Sequence, residues 1–390
     1  MLVCIAMVAT TWMMSGVVPT LIDLGFQWMD PTFFLVSSCA ISAVISVLTG
    51  SSWSTIATIG VALMGVGTVM GFSPGWIAGA IISGAYFGDK VSPLSDTTVV
   101  ASSTCGVDLF KHIKYLMLTA MPAMIIALLV YLAVGLFKEA PSAEFSRDLI
   151  EELHLHFNIT RWTLVIPALT LLLIACKVRT IVTLALAALF GFIGIFVFQP
   201  DSVTGFMQAF TALWSGNSMQ TSHELLNELA GTGGISGMMS TITLVLSAMV
   251  FGSVMIGTGM LGVITSAFAR RLKKRTSIVG ATVAGGLYMN SCTADQYLSI
   301  IITGNMFRNV YRRFRLEPRL LSRTLEDSVS VTSVLIPWNS CGITQSTVLG
   351  VSTLVYFPFC IFNILSPCMS ILIAWIGFKI PSHVPVRVPA

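Results

Sequence analysis

Charge is what this sequence has least of. Asp, Glu, Lys and Arg together make up 10% of 390 residues, against 55% hydrophobic, whereas a soluble domain carries about 25% charged residues. Such a chain cannot coat itself with a polar surface, which excludes an ordinary soluble globule. The net charge of +4 is small, and no basic stretch is interleaved with aromatics, so no nucleic-acid partner is expected. There are eight cysteines, but none forms a CxxC pair and most lie in apolar runs. That argues for small-residue packing and against a disulfide or metal framework. Gly231–Gly237 (GTGGISG) lacks the strand–loop–helix setting and the Lys-Ser/Thr of a phosphate cradle. With no ATPase motif anywhere, neither an enzyme's reaction centre nor a resident cofactor is called for, and an ion gradient is the available driving force.

What remains is lipid-compatible. Several windows reach the ~20 apolar residues a bilayer helix needs, so the fold class is an all-α polytopic membrane protein. Met1–Ile22 has no basic n-region and no clear cleavage site, and reads as a first span rather than a signal peptide. Cationic stretches at 111–114, 177–179, 270–275, 308–323 and Lys379 mark the cytoplasmic side, and acidic connections at 23–30, 139–152 and 201–228 mark the other. This alternation predicts crossings at 116–137, 162–176, 181–198 and 238–268, with a final pair at 324–350 and 352–377. His154 and His156 are expected in solvent, and His223 with Glu224 and Glu228 on a surface helix.

Two segments resist this scheme. Only about 32 residues separate the basic stretches ending at Arg275 and starting at Arg308, whereas two full crossings need about 40. A re-entrant hairpin over 276–307 is the economical reading, with Asn290–Gln296 (NSCTADQ) at its tip. Residues 32–70 read as a second hairpin, or as two short spans, with Thr49–Thr55 (TGSSWST) in the middle. Each is followed by a helix interrupted by polar residues: 76–105, carrying Gly88–Thr98 (GDKVSPLSDTT), and 324–350, carrying Ile336–Thr347 (IPWNSCGITQST). Pro93 matches Pro337 and Ser95 matches Asn339; little else aligns. By the charge count the two units have opposite orientation, which is the inverted-repeat signature of secondary transporters. The chain divides accordingly into a first repeat (1–137), connecting spans and external loops (138–237), and a second repeat (238–390).

Ionisable residues at membrane depth cost roughly 2.5–3.5 kcal/mol on insertion scales, so those in these breaks need a reason. Asp89, Asp96 and Asp295 are the candidate ion-binding and proton-exchanging carboxylates. Asp96 ranks above Asp89 because Thr97 and Thr98 follow it, and Lys90 is expected to pair with one of the two aspartates. Asp295 could instead cap the following half-helix. Ser92, Thr97, Thr98, Asn290, Thr293 and Asn339 would supply neutral oxygens to a hard monovalent cation. A carboxylate poised between burial and a bound cation releases a proton when the cation enters. Glu326 and Asp327, just after the basic stretch, are expected to pair with Arg323 at the cytoplasmic surface, with a gate role as the alternative.

GAYFGDKVSPLSDTT (84–98), GVDLFKHIKY (106–115), YMNSCTADQYLSI (288–300) and LSRTLEDSVSVTSVLIPWNSCG (321–342) together resemble the NhaC family of sodium/proton antiporters, in the family's order. The resemblance implies a multi-span protein of bacterial inner membranes that exchanges cytoplasmic Na+ for external H+ by alternating access. Li+ could replace Na+, and a homo-oligomer is open. Some relatives exchange malate with protons for lactate with sodium, or carry amino acids. A sodium-coupled organic-acid or amino-acid transporter is therefore the alternative, with Lys90 holding the substrate carboxylate. Family members begin with further N-terminal spans, so the resemblance also implies a start site or a first repeat that is incomplete here.

Overall fold

The computed structural model describes residues 2–137, 143–176, 178–200, 205–217, 227, 231–259 and 274–377. The expected His223–Glu228 surface helix and the cationic positions Lys177, Arg270 and Lys379 fall outside them. Among the described residues the regular structure is helical, with one isolated bridge between Asn217 and Thr232. Five helices are long and apolar enough to cross a membrane, or up to eight if three bent pairs each count as one span. The chain is an all-α, multi-pass membrane protein.

The expected first span is not a single rod. α1 (Leu2–Met14) and α2 (Val17–Trp28) meet at 67°, because Gly16 between them adopts a left-handed φ of 80° that glycine accepts at little cost. α3 (Phe34–Thr49) and α4 (Ser52–Val69) form the first hairpin, and residues 56–60 of α4 make a π-helical turn. α5 (Pro74–Val91) and α6 (Asp96–Cys105) are the two halves of the first interrupted helix. The long α7 (Leu109–Phe137) follows.

The connecting region holds α8 (Ala143–His156), α9 (Val165–Ala175), α10 (Thr180–Phe198) and α11 (Phe206–Ser215). The crossing expected at 162–176 is short, and the chain bends by 87° between residues 150–156 and 161–175. His154 and His156 are exposed as expected, with His154 Nε2 3.2 Å from Asp23 Oδ1. α12 (Gly234–Gly257) leads into the second unit.

The second hairpin is α13 (Arg275–Thr293) and α14 (Gln296–Arg313). Its arms take in the flanking arginines, so α13 reaches about 28 Å at 1.5 Å per residue, more than the apolar interval alone suggested. α15 (Pro318–Leu325) runs without a loop into a π-helical turn at Glu326–Ser330 and a short 3-10 turn, and α16 (Ser340–Leu349) completes the second interrupted helix. The final span bends by 57° where residues 353–359 meet α17 (Ile361–Ile376).

One core joins both units: Phe34, Ile77, Ala80 and Ile81 pack in the same apolar cluster as Val331, Val334, Cys341 and Phe362. α3 packs closely along α5. Glycines on α5 permit it, since a Cβ at Gly84 would stand 2.0 Å from the Cys39 carbonyl oxygen.

Candidate functional site

The two interruptions are built the same way. In the first, Ser92 is extended (φ −78°, ψ 132°) ahead of Pro93, and Ser95 caps α6 by accepting from the Thr98 N–H. In the second, Ile336 is extended (φ −103°, ψ 117°) ahead of Pro337, and Asn339 caps α16 by accepting from the Cys341 N–H. Proline forces its predecessor out of the helical region, and a short polar side chain two residues later restarts the helix.

The hairpin tips match as closely. Gly50 and Ala294 both adopt left-handed φ values, 66° and 54°, and the next residues, Ser51 and Asp295, cap the second arms. Thr49 Oγ1 bonds the Ser51 carbonyl at 3.2 Å and the Thr55 hydroxyl at 3.3 Å. Thr293 Oγ1 bonds the Asp295 carbonyl at 3.1 Å and the Ser299 hydroxyl at 2.6 Å. Thr49–Thr55 and Thr293–Ser299 thus repeat one pattern, a threonine, a left-handed residue, a cap, and a hydroxyl six residues after the threonine. This similarity between the halves is invisible to residue identity.

Each tip is tied to its interruption. Four residues before Pro93, Asp89 Oδ2 accepts from the Ser52 N–H at 3.1 Å and from Ser52 Oγ at 2.7 Å. Four residues before Pro337, Ser333 Oγ donates to Gln296 Oε1 at 3.2 Å. Ser52 and Gln296 are each third after the tip threonine, so the contacts correspond, but only the first involves a carboxylate. Asp89 is 8% exposed and faces the first turn of α4, where unpaired N–H groups favour an anion. Ser95 lies beside the same carboxylate. At the second tip, Asn339 Nδ2 donates to the Asn290 carbonyl at 3.1 Å, and the Ser340 N–H donates to the Ala294 carbonyl at 2.8 Å. The halves meet at the buried Cys341, with Trp53, Tyr86, Ser333 and Asp295 around it.

The candidate residues have different surroundings. Asp96, ranked first from sequence, is exposed as the first residue of α6, whereas Asp89 is buried. Asp295 is half-buried and caps α14, accepting from the Leu298 N–H at 2.9 Å. Ser92 Oγ donates to the Val47 carbonyl at 2.7 Å, Thr98 Oγ1 donates to the Lys90 carbonyl at 3.1 Å, and the Thr97 hydroxyl meets Ser95 at 3.0 Å. Asn290 Nδ2 donates to the Val329 carbonyl at 2.7 Å, while its Oδ1 is buried without a partner.

Lys90 is paired with neither Asp89 nor Asp96. Successive helical side chains diverge by about 100°, and the Lys90 ammonium turns away to meet Asp327 Oδ1 and Ser366 Oγ, the latter at 2.7 Å. Thr119 Oγ1 donates to the same Asp327 oxygen at 2.9 Å, and Arg323 Nε stands 3.7 Å from Asp327 Oδ2. Lys90 is 1% exposed; Arg323, Glu326 and Asp327 are 0% exposed. Of the surface pairing expected with Arg323, the Asp327 contact is present and the Glu326 one is not, and the location is corrected: α15 is already buried, so the three lie inside the protein. Their signal in the sequence was the run 324–336, small and hydroxylated residues leading straight into the Pro337 break with no loop.

The sequence profile described as the Na+/H+ antiporter family matches residues 2–108 and 84–378. A protein of Alkalihalophilus pseudofirmus named Na(+)/H(+) antiporter NhaC is 36% identical over 379 residues, covering 97% of this chain and 82% of the relative. A Bacillus subtilis protein of the same name is 34% identical over 378 residues, 96% of this chain and 83% of its own length. Another from Bacillus subtilis, named Malate-2H(+)/Na(+)-lactate antiporter, is also 34% identical over 378 residues, 96% of this chain and 80% of its own.

Proposed function

Since the chain belongs to the Na+/H+ antiporter family, we propose that it exchanges cytoplasmic Na+ for external H+ by alternating access, moving ions rather than breaking bonds. Its setting would be the inner membrane of a bacterium, with the exposed apolar side chains of α10 and α12 (Val182, Leu189, Val250, Phe251) against lipid. The two hairpin-and-interruption units are the two repeats, of opposite orientation by their flanking charge.

One observation carries the reading: the Asp89 carboxylate is buried where an interrupted helix meets a hairpin tip, held by the backbone and hydroxyl of Ser52. Interrupted helices leave main-chain groups free at membrane depth, and such groups with carboxylate and hydroxyl oxygens suit a hard cation. Asp89 is the proposed Na+ ligand, with the Ser92, Thr97 and Thr98 oxygens completing the first half of the site and Asn290, Thr293 and Asn339 supplying the second. Asp96, exposed, and Asp295, at the second tip, are the outer carboxylates that draw cations toward it.

The malate/lactate name among the relatives favours a second reading, an organic-acid exchanger in which Lys90 holds the substrate. The geometry weighs against it, because the Lys90 ammonium already has Asp327 and Ser366 as partners and stands 5.5 Å over the Phe362 ring. In everted vesicles Asp89→Asn is expected to abolish Na+-driven collapse of a pH gradient, while Asp96→Asn keeps most of it. Retained exchange in Asp89→Asn, with Asp96→Asn inactive, contradicts the assignment.

A further inference from the structure

We infer that the proton and the sodium ion are carried on different carboxylates: Glu326 is a proton-binding site separate from the Na+ site at Asp89. The inference rests on the Na+/H+ reading above and assigns its proton.

Glu326 is wholly buried, and neither carboxylate oxygen has a hydrogen-bond partner. The Ser330 hydroxyl, four residues on, is the donor that faces it, though without a hydrogen bond of ordinary geometry. An ionised carboxylate buried without donors costs far more than the neutral acid. Asp89 is built the other way, with two donors from Ser52 at the start of α4. One site suits an anion next to a cation; the other suits an acid. Neighbouring titratable groups in such contrasting surroundings take different roles. Glu326 also opens the π-helical turn 326–330, and such turns occur often at functional positions.

Charge balance then couples the two sites. The buried group contains two cations, Lys90 and Arg323, and three carboxylates, Asp89, Glu326 and Asp327. With Glu326 protonated, the cations and the two remaining carboxylates cancel. A sodium ion arriving at Asp89 adds one positive charge to a medium that tolerates none uncompensated, and loss of the Glu326 proton to solvent restores neutrality. Asp89, Lys90 and Asp327 all act electrostatically on Glu326. Other titratable groups lie on the elements packed against the turn, among them Arg319, which pairs with Glu317. His112 Nδ1 meets Ser322 Oγ at 2.8 Å, Tyr115 lies under the Arg323 guanidinium at 4.6 Å, and the Tyr311 hydroxyl meets Thr282 at 3.2 Å. Asp96 and Tyr297 are exposed, Arg308 bonds the Thr104 carbonyl, and Cys105, Cys292 and Cys368 are free thiols.

The test is proton release from purified protein in weakly buffered detergent when NaCl is added, with choline chloride as control. Wild type is expected to release about one proton per bound Na+, and Glu326→Gln, which cannot give up the compensating proton, to bind Na+ more weakly and release none. Undiminished release from Glu326→Gln overturns the inference and puts both ions on Asp89. Infrared difference spectra of the wild type, with Glu326→Asp as the conservative variant, guard against a misfolded glutamine variant. A carboxylic-acid carbonyl band should disappear on Na+ addition and shift in position in Glu326→Asp. A band unaltered by that variant also overturns it. If the band titrates with pH and moves in Glu326→Asp, but Na+ leaves it unchanged, the sodium reading fails while the Glu326 proton stands.

Discussion

Residue by residue, the site is a set of buried charges with unequal compensation. Lys90 and Asp327 compensate each other across the two units, with Ser366 and Thr119 completing the Asp327–Lys90 bonding. Removing one member of a buried pair strands the other, at a cost of about 3–5 kcal/mol, whereas replacing both with apolar groups is often nearly neutral. Lys90→Met alone should therefore lower the thermal midpoint of the detergent-solubilised protein sharply, and Lys90→Met with Asp327→Leu should recover part of it, the buried Arg323 losing its Asp327 neighbour. Equal destabilisation by single and double variants would show that the pair is not the main tie. Asp89 was legible in sequence as an aspartate at membrane depth beside a helix break. Its burial, with Asp96 exposed, was not, because sequence gives neighbours along the chain and not which of two residues seven apart points inward. Asp327 as the partner of Lys90 was equally hidden, 237 residues away.

At the level of elements, local chemistry carried the most. Ser-Pro-Leu-Ser and Ile-Pro-Trp-Asn each specify an extended residue, a proline and a cap, and both interruptions stand where those residues put them. The hairpin tips were legible as polar islands in apolar runs. The π-helical turns at 56–60 and 326–330 were not, since no residue pattern in those stretches distinguishes them from α-helix. The α3–α5 contact depends on glycine, and two substitutions separate its causes. Gly84→Ala drives a Cβ toward a backbone oxygen at 2.0 Å, and overpacking of this kind costs typically 1–3 kcal/mol or more. Gly106, capping α6 at φ 68°, has nothing within 4 Å of a built Cβ, so Gly106→Ala costs only the left-handed strain of about 1–2 kcal/mol. Thermal unfolding in detergent should rank Gly84→Ala as the more damaging; the reverse order would mean that α3 can move away from α5 freely.

For the molecule as a whole, charge alternation and apolar length were enough to read an all-α multi-pass protein, and they fixed the order of its hairpins and interrupted helices. They were not enough for shape: the 67° bend between α1 and α2 turns on Gly16, and the 57° bend before α17 was not expected from sequence. Nor could sequence identity reveal the correspondence of the halves, because Thr49–Thr55 and Thr293–Ser299 share hydrogen bonds but only the opening threonine in residue identity. That correspondence sets Asp89 against Ser333, so that only in the first half is the bond between hairpin tip and interruption made by a carboxylate, which favours cation exchange. The most direct measurement is the pH response of proteoliposomes containing only this protein, given Na+ with no organic substrate. Na+ alone should collapse an imposed pH gradient. A gradient that persists with Na+ and collapses only when malate, lactate or an amino acid is added would contradict it.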